Sequence, residues 1–194
     1  MYLIGDIGNS EIKICIVNHK QKIIKKTSFL TFNLSAKNLK KNFEKFKKNF
    51  PKIKKIIFCS VVPNSFKLIK NFLKTKTRIR CFEIKQLDLS SLINIKVNYN
   101  QVGSDRIANA IALKDNKKNF IIIDLGTATT FDVLIKNNYM GGIIAPGIKV
   151  SLNTLSDRAS LIPRINLKKT KKLIGKDTIT AVRSGFFWGY SGLI

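Results

Sequence analysis

Two stretches of this chain are built to one plan, and that plan constrains the fold more than any other feature. In 120–135, FIIIDLGTATTFDVLI, four apolar residues lead into Asp124, a glycine and a run of hydroxyls follow, and apolar residues then resume. The pattern predicts a buried strand, a tight turn at Gly126 with a backbone that favours glycine, and a second strand. Residues 2–17, YLIGDIGNSEIKICIV, repeat it, with Asp6 in the place of Asp124, Gly8 in that of Gly126, and Asn9 and Ser10 where the threonines begin. Each turn would gather backbone N–H groups, hydroxyls (Thr127, Thr129 and Thr130 in the later copy) and one carboxylate, which suits an anion and its metal better than a core. Repetition of the unit predicts two like halves, each offering a phosphate-facing turn. Either hairpin alone could equally be an ordinary turn capped by its own aspartate.

Composition narrows the partners. The 194 residues suffice for one large domain or two small ones, and 44% hydrophobic content at a mean hydropathy of +0.00 describes a soluble globular chain. No apolar run reaches membrane-spanning length and the N-terminus has no signal-peptide pattern, so a cytoplasmic protein without membrane contact is expected. Three cysteines, Cys15, Cys59 and Cys81, lie in strand-like apolar runs and read as buried thiols; with His19 the sole histidine, any metal must be a hard cation held by oxygens. The net charge of +25 is carried mostly by lysines on helix-like segments, without stacking motifs or zinc fingers. Specific nucleic-acid binding is therefore not expected, whereas nonspecific polyanion binding at low salt is. Against this basic background the acids stand out: of eleven Asp and Glu, five (Asp6, Glu11, Asp105, Asp124, Asp132) fall in three short stretches.

Periodicity supplies the rest. Strands are expected over residues 12–17, 22–32, 55–62 and 78–85, with a helix over 35–50 capped by Ser35 and a second over 65–74. This is the order of a ribonuclease H-like domain. Residues 89–101 read as an irregular connection. A helix then opens near Gly103, with Ser104 or Asp105 as its cap. After the later hairpin come a third strand, a Gly-rich turn, a helix from about Gly147 to Pro163, a polar loop and a last helix. The boundary between halves is placed near residue 116, giving 1–116 and 117–194.

No Walker-type G-x-x-x-x-G-K-[ST] and no G-x-G-x-x-G occurs, so any phosphate chemistry rests on DIGNS and DLGTATT. The blocks DIGNSEIK, SVVP, GSDRIANA, DLGTATTFD, GGIIAPGIKVS and GKDT-x-x-AVRSG stand in the order found in type III pantothenate kinases, and the chain resembles that family over its whole length. The resemblance implies an α/β fold of two ribonuclease H-like halves of the actin/hexokinase-like ATPase type, the second incomplete at its C-terminus. It also implies an ATP-dependent phosphotransferase that converts pantothenate to 4'-phosphopantothenate in coenzyme A synthesis, acting as a homodimer.

It further implies roles for particular residues. Asp6, Ile7, Gly8, Asn9, Ser10, Glu11, Ile12 and Lys13 would form the first ATP-phosphate turn, with Asp6 near Mg²⁺ and Thr127 another ATP contact. Gly103, Ser104, Asp105 and Arg106 would form the pantothenate site, with Asp105 as the base and Arg106 suited to the substrate's carboxylate. Tyr99 and Thr178 would line that site, and Asp124 would hold a monovalent cation, K⁺ or NH₄⁺. Two rival readings remain open at this level. One is an inactive nucleotide-binding relative that regulates or scaffolds, which would bind ATP without pantothenate-dependent ADP release. The other is a basic nucleic-acid-binding protein, whose binding would depend on sequence and survive physiological salt.

Overall fold

The computed structural model describes residues 1–32 and 34–194. Strands β1 (Tyr2–Ile7), β2 (Glu11–Val17) and β3 (Ile23–Leu30) form an antiparallel meander. Strand β4 (Lys55–Ser60) runs parallel to β1 and β5 (Cys81–Glu83) parallel to β4, giving the order β3-β2-β1-β4-β5 expected of a ribonuclease H-like sheet. Period-2 alternation gives this sheet two unlike faces. Leu3, Ile7, Ile12, Ile16, Ile56 and Phe58 are fully buried in one cluster with Leu39, Phe43, Phe46, Ile69 and Leu73 from the helical segments. The alternate positions Ile4, Asp6, Lys13, Cys15, Ile57 and Cys59 line a hollow of about 840 Å³ on the other face.

Helix α1 (Ala36–Phe43) is capped by Ser35, whose Oγ accepts from Asn38 N–H at 3.3 Å. The α-helix expected to run on to residue 50 instead tightens into a 3₁₀ helix over Glu44–Lys52, which contains Pro51. Proline has no N–H to donate and crowds the residue before it out of α geometry, yet the tighter coil still buries Phe46 and Phe50. Phe43 is the hinge of this packing, with ring centroids 5.9 Å from Phe46 and 5.2 Å from Phe72. Helix α2 (Pro63–Thr77) begins at Pro63, which is pre-set for a first helical turn.

The connection read as irregular contains a short strand, β6 (Asn94–Ile95), and a 3₁₀ turn at Tyr99–Gln101 before α3 (Ser104–Leu113). The cap of α3 is Gly103, with no side-chain cap bond, so Ser104 and Asp105 are first-turn residues instead. Strands β7 (Asn119–Leu125), β8 (Ala128–Ile135) and β9 (Asn138–Pro146) join β6 in a second sheet of order β6-β9-β8-β7. Helix α4 (Ile148–Arg158) stops short of the expected Pro163, with Ala159 extended at φ −110°. The last helix, α5 (Thr178–Leu193), is capped by Asp177, which accepts from Thr180 N–H at 2.9 Å.

The chain divides into two compact units, Met1–Phe120 with Asp132–Gly141, and Ile121–Phe131 with Gly142–Ile194. Among the described residues no helix is long and apolar enough to cross a membrane.

Candidate active site

In the first unit, strand register assembles the site. Asp6 is the penultimate residue of β1 and lies opposite Lys13 on one side and Cys59 on the other. The turn after it is closed by Gly8 N–H donating to Glu11 O at 3.0 Å. Thr31 pins it from beyond the end of β3, donating its hydroxyl to Gly8 O at 2.7 Å and its N–H to Ser10 O at 3.1 Å. Asn9 and Ser10 are exposed, as an anion contact requires. Ile7 and Ile12 are fully buried, so only their main chain can serve the turn. Lys13 is exposed with its Nζ 3.9 Å from Glu11, a weak surface pair.

Ser104 joins α3 to this strand end. Its buried Oγ accepts from Ser60 N–H at 2.8 Å and donates to Ser60 O at 2.9 Å, so the hydroxyl expected at the substrate is spent on β4. The clamp sets the first turn of α3, with Asp105, against the end of β4 that carries Cys59. Burial first, and then the negative charges of Asp6, Glu83 and Asp105, push the Cys59 thiol up to about 12. Two of the acids singled out in the sequence thus share one neighbourhood with a third, Glu83, that was not. Glu83 Oε1 is buried without a hydrogen-bond partner. No group of three or more Asp, Glu, Cys or His among the described residues could hold a metal by itself. A cation carried in on phosphate oxygens fits such a site, since Mg²⁺ commonly takes one or two carboxylates plus phosphates.

Gly103 makes room for the carboxylate: a Cβ there would stand 2.4 Å from Asp105 Oδ1. Arg106, in the first turn of α3, is held by the fully buried Asp132. Burial opposes its charge, but the hydrogen bond and negative charge of Asp132 more than offset this, so its pKa moves up. Lys85 braces the segment leading in, donating to Asn100 O at 3.3 Å and Val102 O at 3.1 Å and standing 4.8 Å over the Tyr99 ring. The Tyr99 hydroxyl donates to Lys85 O at 3.2 Å, and burial followed by the charge of Glu83 raises its pKa.

The later turn lies in the second unit, where Gly126 N–H donates to Ala128 O at 2.9 Å. The expectation of a glycine-only backbone at Gly126 is not met: the positive-φ glycine among the described residues is Gly141, at φ 103°. A Cβ on Gly126 would make only ordinary contacts, 3.7 Å and beyond. Nor do the three threonines converge. Thr127 is exposed in the turn, whereas Thr129 and Thr130 belong to β8 and alternation sends them to opposite faces, Thr129 fully buried. Asp124 is exposed beside the turn, and Thr178 is exposed at the start of α5 next to its cap.

Sequence reasoning missed Cys59, Glu83, Lys85, Tyr139 and the role of Asp132. Adjacency of Cys59 to SVVP and the scarcity of acids were the signals available for two of them.

Solved structures of other proteins share this fold. A Baf-family protein from Campylobacter jejuni, described as a transcriptional activator, matches with TM-score 0.58 at 23% identity, over 98% of this chain and 76% of that one. A protein from Sinorhizobium meliloti described as a 2-dehydro-3-deoxygalactonokinase matches with TM-score 0.54 at 9% identity, over 98% and 80%. The strand order and the carboxylate-bearing hairpin turns accordingly define a protein of the actin/hexokinase-like ATPase fold. Within that class the family model for type III pantothenate kinase matches residues 2–194, and the chain belongs to this family. A type III pantothenate kinase of Pelagibacter ubique (strain HTCC1062) is 58% identical over 194 residues, all of this chain and 78% of the relative. One from Desulforapulum autotrophicum is 34% identical over all of this chain and 77% of the relative. The chain is thus an ATP-dependent kinase of pantothenate, a chemistry that needs a divalent cation.

Proposed function

We propose that Asp105 is the base of this kinase and that Gly103 to Arg106 hold pantothenate. Asp105 takes the proton of the substrate's primary hydroxyl as that oxygen attacks the γ-phosphorus. The bond from phosphorus to the ADP oxygen breaks, and ADP and 4'-phosphopantothenate leave. Phosphoryl transfer needs mainly positioning and charge neutralisation, so a carboxylate of ordinary basicity suffices. The observation that supports this reading is geometric: Asp6 pairs with Cys59 across β1 and β4, and Ser104 ties the first turn of α3, which carries Asp105, to Ser60, the next residue of β4.

In this reading Asp6 meets the nucleotide's Mg²⁺, the 6–13 turn and Thr127 contact ATP, and Tyr99 and Thr178 border the substrate. Asp124 takes K⁺ or NH₄⁺, the working protein is a cytoplasmic homodimer, and the two halves divide near residue 116. Mg²⁺ when bound would neutralise phosphate charge; the chain's own residues supply orientation and the proton's destination.

Incubation with ATP, Mg²⁺, K⁺ and pantothenate should yield ADP and phosphopantothenate, with turnover falling when Na⁺ replaces K⁺. Asp105→Asn should lower kcat by about 10²–10⁴-fold. Near-native turnover in that variant would remove Asp105 from the role.

A further inference from the structure

The first turn of a helix is the wrong place electrostatically for a cation, because unpaired N–H groups leave it partly positive. Arg106 nevertheless sits in the first turn of α3 with its side chain only 13% exposed. Asp132, on β8, makes this possible. Arg106 Nε donates to Asp132 Oδ1 at 2.8 Å, and Nη2 lies 2.5 Å from the same oxygen. Tyr139, on β9, donates its hydroxyl to that oxygen too, at 2.6 Å. Oδ2 of Asp132 is buried with no partner.

Stability alone does not select this arrangement, since leaving a buried carboxylate oxygen unsatisfied costs free energy. Three contacts converge on one oxygen, and their common effect is to fix the plane of the guanidinium. A guanidinium offers five N–H donors in a rigid planar fork. Asp132 takes Nε, while Nη2 is buried with no hydrogen bond of its own, which leaves the edge joining Nη1 and Nη2. That remaining edge is shaped for a second carboxylate.

We propose that Asp132, steadied by Tyr139, is the positioning residue for Arg106: it turns the guanidinium so that its unused edge receives the carboxylate of the acid substrate. The proposal rests on the assignment of Arg106 to the substrate's carboxylate. Asp132 touches no substrate and acts through Arg106. The pair is neutral overall, so its contribution is direction rather than attraction. Without it, Asp105 is the neighbouring negative charge that remains to draw the guanidinium away from the substrate.

The test compares two acceptors, pantothenate and the neutral alcohol that carries CH₂OH in place of its carboxylate. In native enzyme kcat/KM should favour the acid. Asp132→Asn should reduce that preference by about tenfold or more, the scale of effect that slight misplacement of a reacting group produces. Tyr139→Phe, which keeps the buried acid and guards against a folding failure in the first variant, should reduce it in the same direction by less. A purely structural role would weaken both acceptors by the same factor, and that outcome, or an unchanged preference in both variants, overturns the proposal. The Arg106 Nε–H proton supplies a readout independent of turnover: its exchange with solvent, followed by NMR, should be slow in native protein and fast in Asp132→Asn. Fast exchange in the native protein also overturns the proposal. No turnover of pantothenate by native protein, with slow exchange intact, would refute the substrate-site assignment and leave the tether standing.

Discussion

At Gly103 the absence of one methyl decides where a carboxylate can lie. The backbone there is extended, φ −61° and ψ 141°, which any residue can adopt, so the objection to a side chain is spatial. A Cβ would stand 2.4 Å from Asp105 Oδ1 and 3.5 Å from Val61 Cγ1. The carboxylate, at the end of a rotatable side chain, would be the group to yield. Gly103→Ala should therefore leave the melting temperature close to native while lowering kcat by about 10²-fold, the cost of roughly 1 Å of misplacement. A variant that melts early and turns over normally would contradict that account. Asp105 could be singled out from sequence because acids are scarce in so lysine-rich a chain, and Asp105 and Arg106 together because GSDRIANA resembles the family's substrate-site block. Asp132 stood out only as an acid without a role, and Cys59 and Glu83 carried no functional signal, because what matters about each is its neighbour on another element.

Among the elements, the two hairpins follow one plan imperfectly. Asp6 and Asp124 are each the penultimate residue of their strand, and Gly8 and Gly126 each open the turn, but three residues separate the strands in the first copy and two in the second. The shorter turn starts β8 at Ala128 and splits the threonines that the sequence grouped together. Its backbone is fitted to a glycine twenty residues on. Gly147 donates its N–H to Thr127 O at 3.0 Å, and a Cβ on it would lie 2.2 Å from Gly126 O and 2.4 Å from Thr127 O. Both opposing atoms are backbone, which cannot rotate aside. Gly147→Ala should cost about 1–3 kcal/mol, as overpacking does, read as a lower urea midpoint in chemical unfolding. Equal midpoints would show that the turn moves away freely. Helix boundaries were the least legible feature at this scale: α1 gives way to a 3₁₀ helix after Phe43 and α4 stops at Arg158, each earlier than apolar spacing suggested.

For the whole molecule, alkaline pH separates two opposing effects. Cys59 and Cys81 have their thiols raised from 9.0 to about 12, burial being the leading cause for each. Folded protein therefore keeps protons that unfolded chain releases, so their contribution is complete below about pH 9 and is lost as pH climbs toward 12. Deprotonation of lysines relaxes the self-repulsion of a +25 chain over much the same range and acts the other way. A Cys59→Ala/Cys81→Ala variant isolates the first effect: between pH 9 and about 11 its stability in urea should decline less than that of native protein. Parallel curves would place both thiols in contact with solvent.

Pattern along the chain was enough for the family, the ribonuclease H-like order of the first sheet, the helix-facing core and the two carboxylate-bearing turns. The family follows from the six ordered sequence blocks that resemble it; the other three depend on residue type and spacing, which local sterics and period-2 or period-3.6 burial translate directly into structure. Tertiary packing alone decided that Ser104 is spent on Ser60, that Asp132 and Tyr139 lock Arg106, and that Gly147 rather than Gly126 must lack a side chain. The physical reason is that hydrogen bonds and close contacts between distant segments follow strand register and the angle at which elements meet, and a linear pattern carries neither.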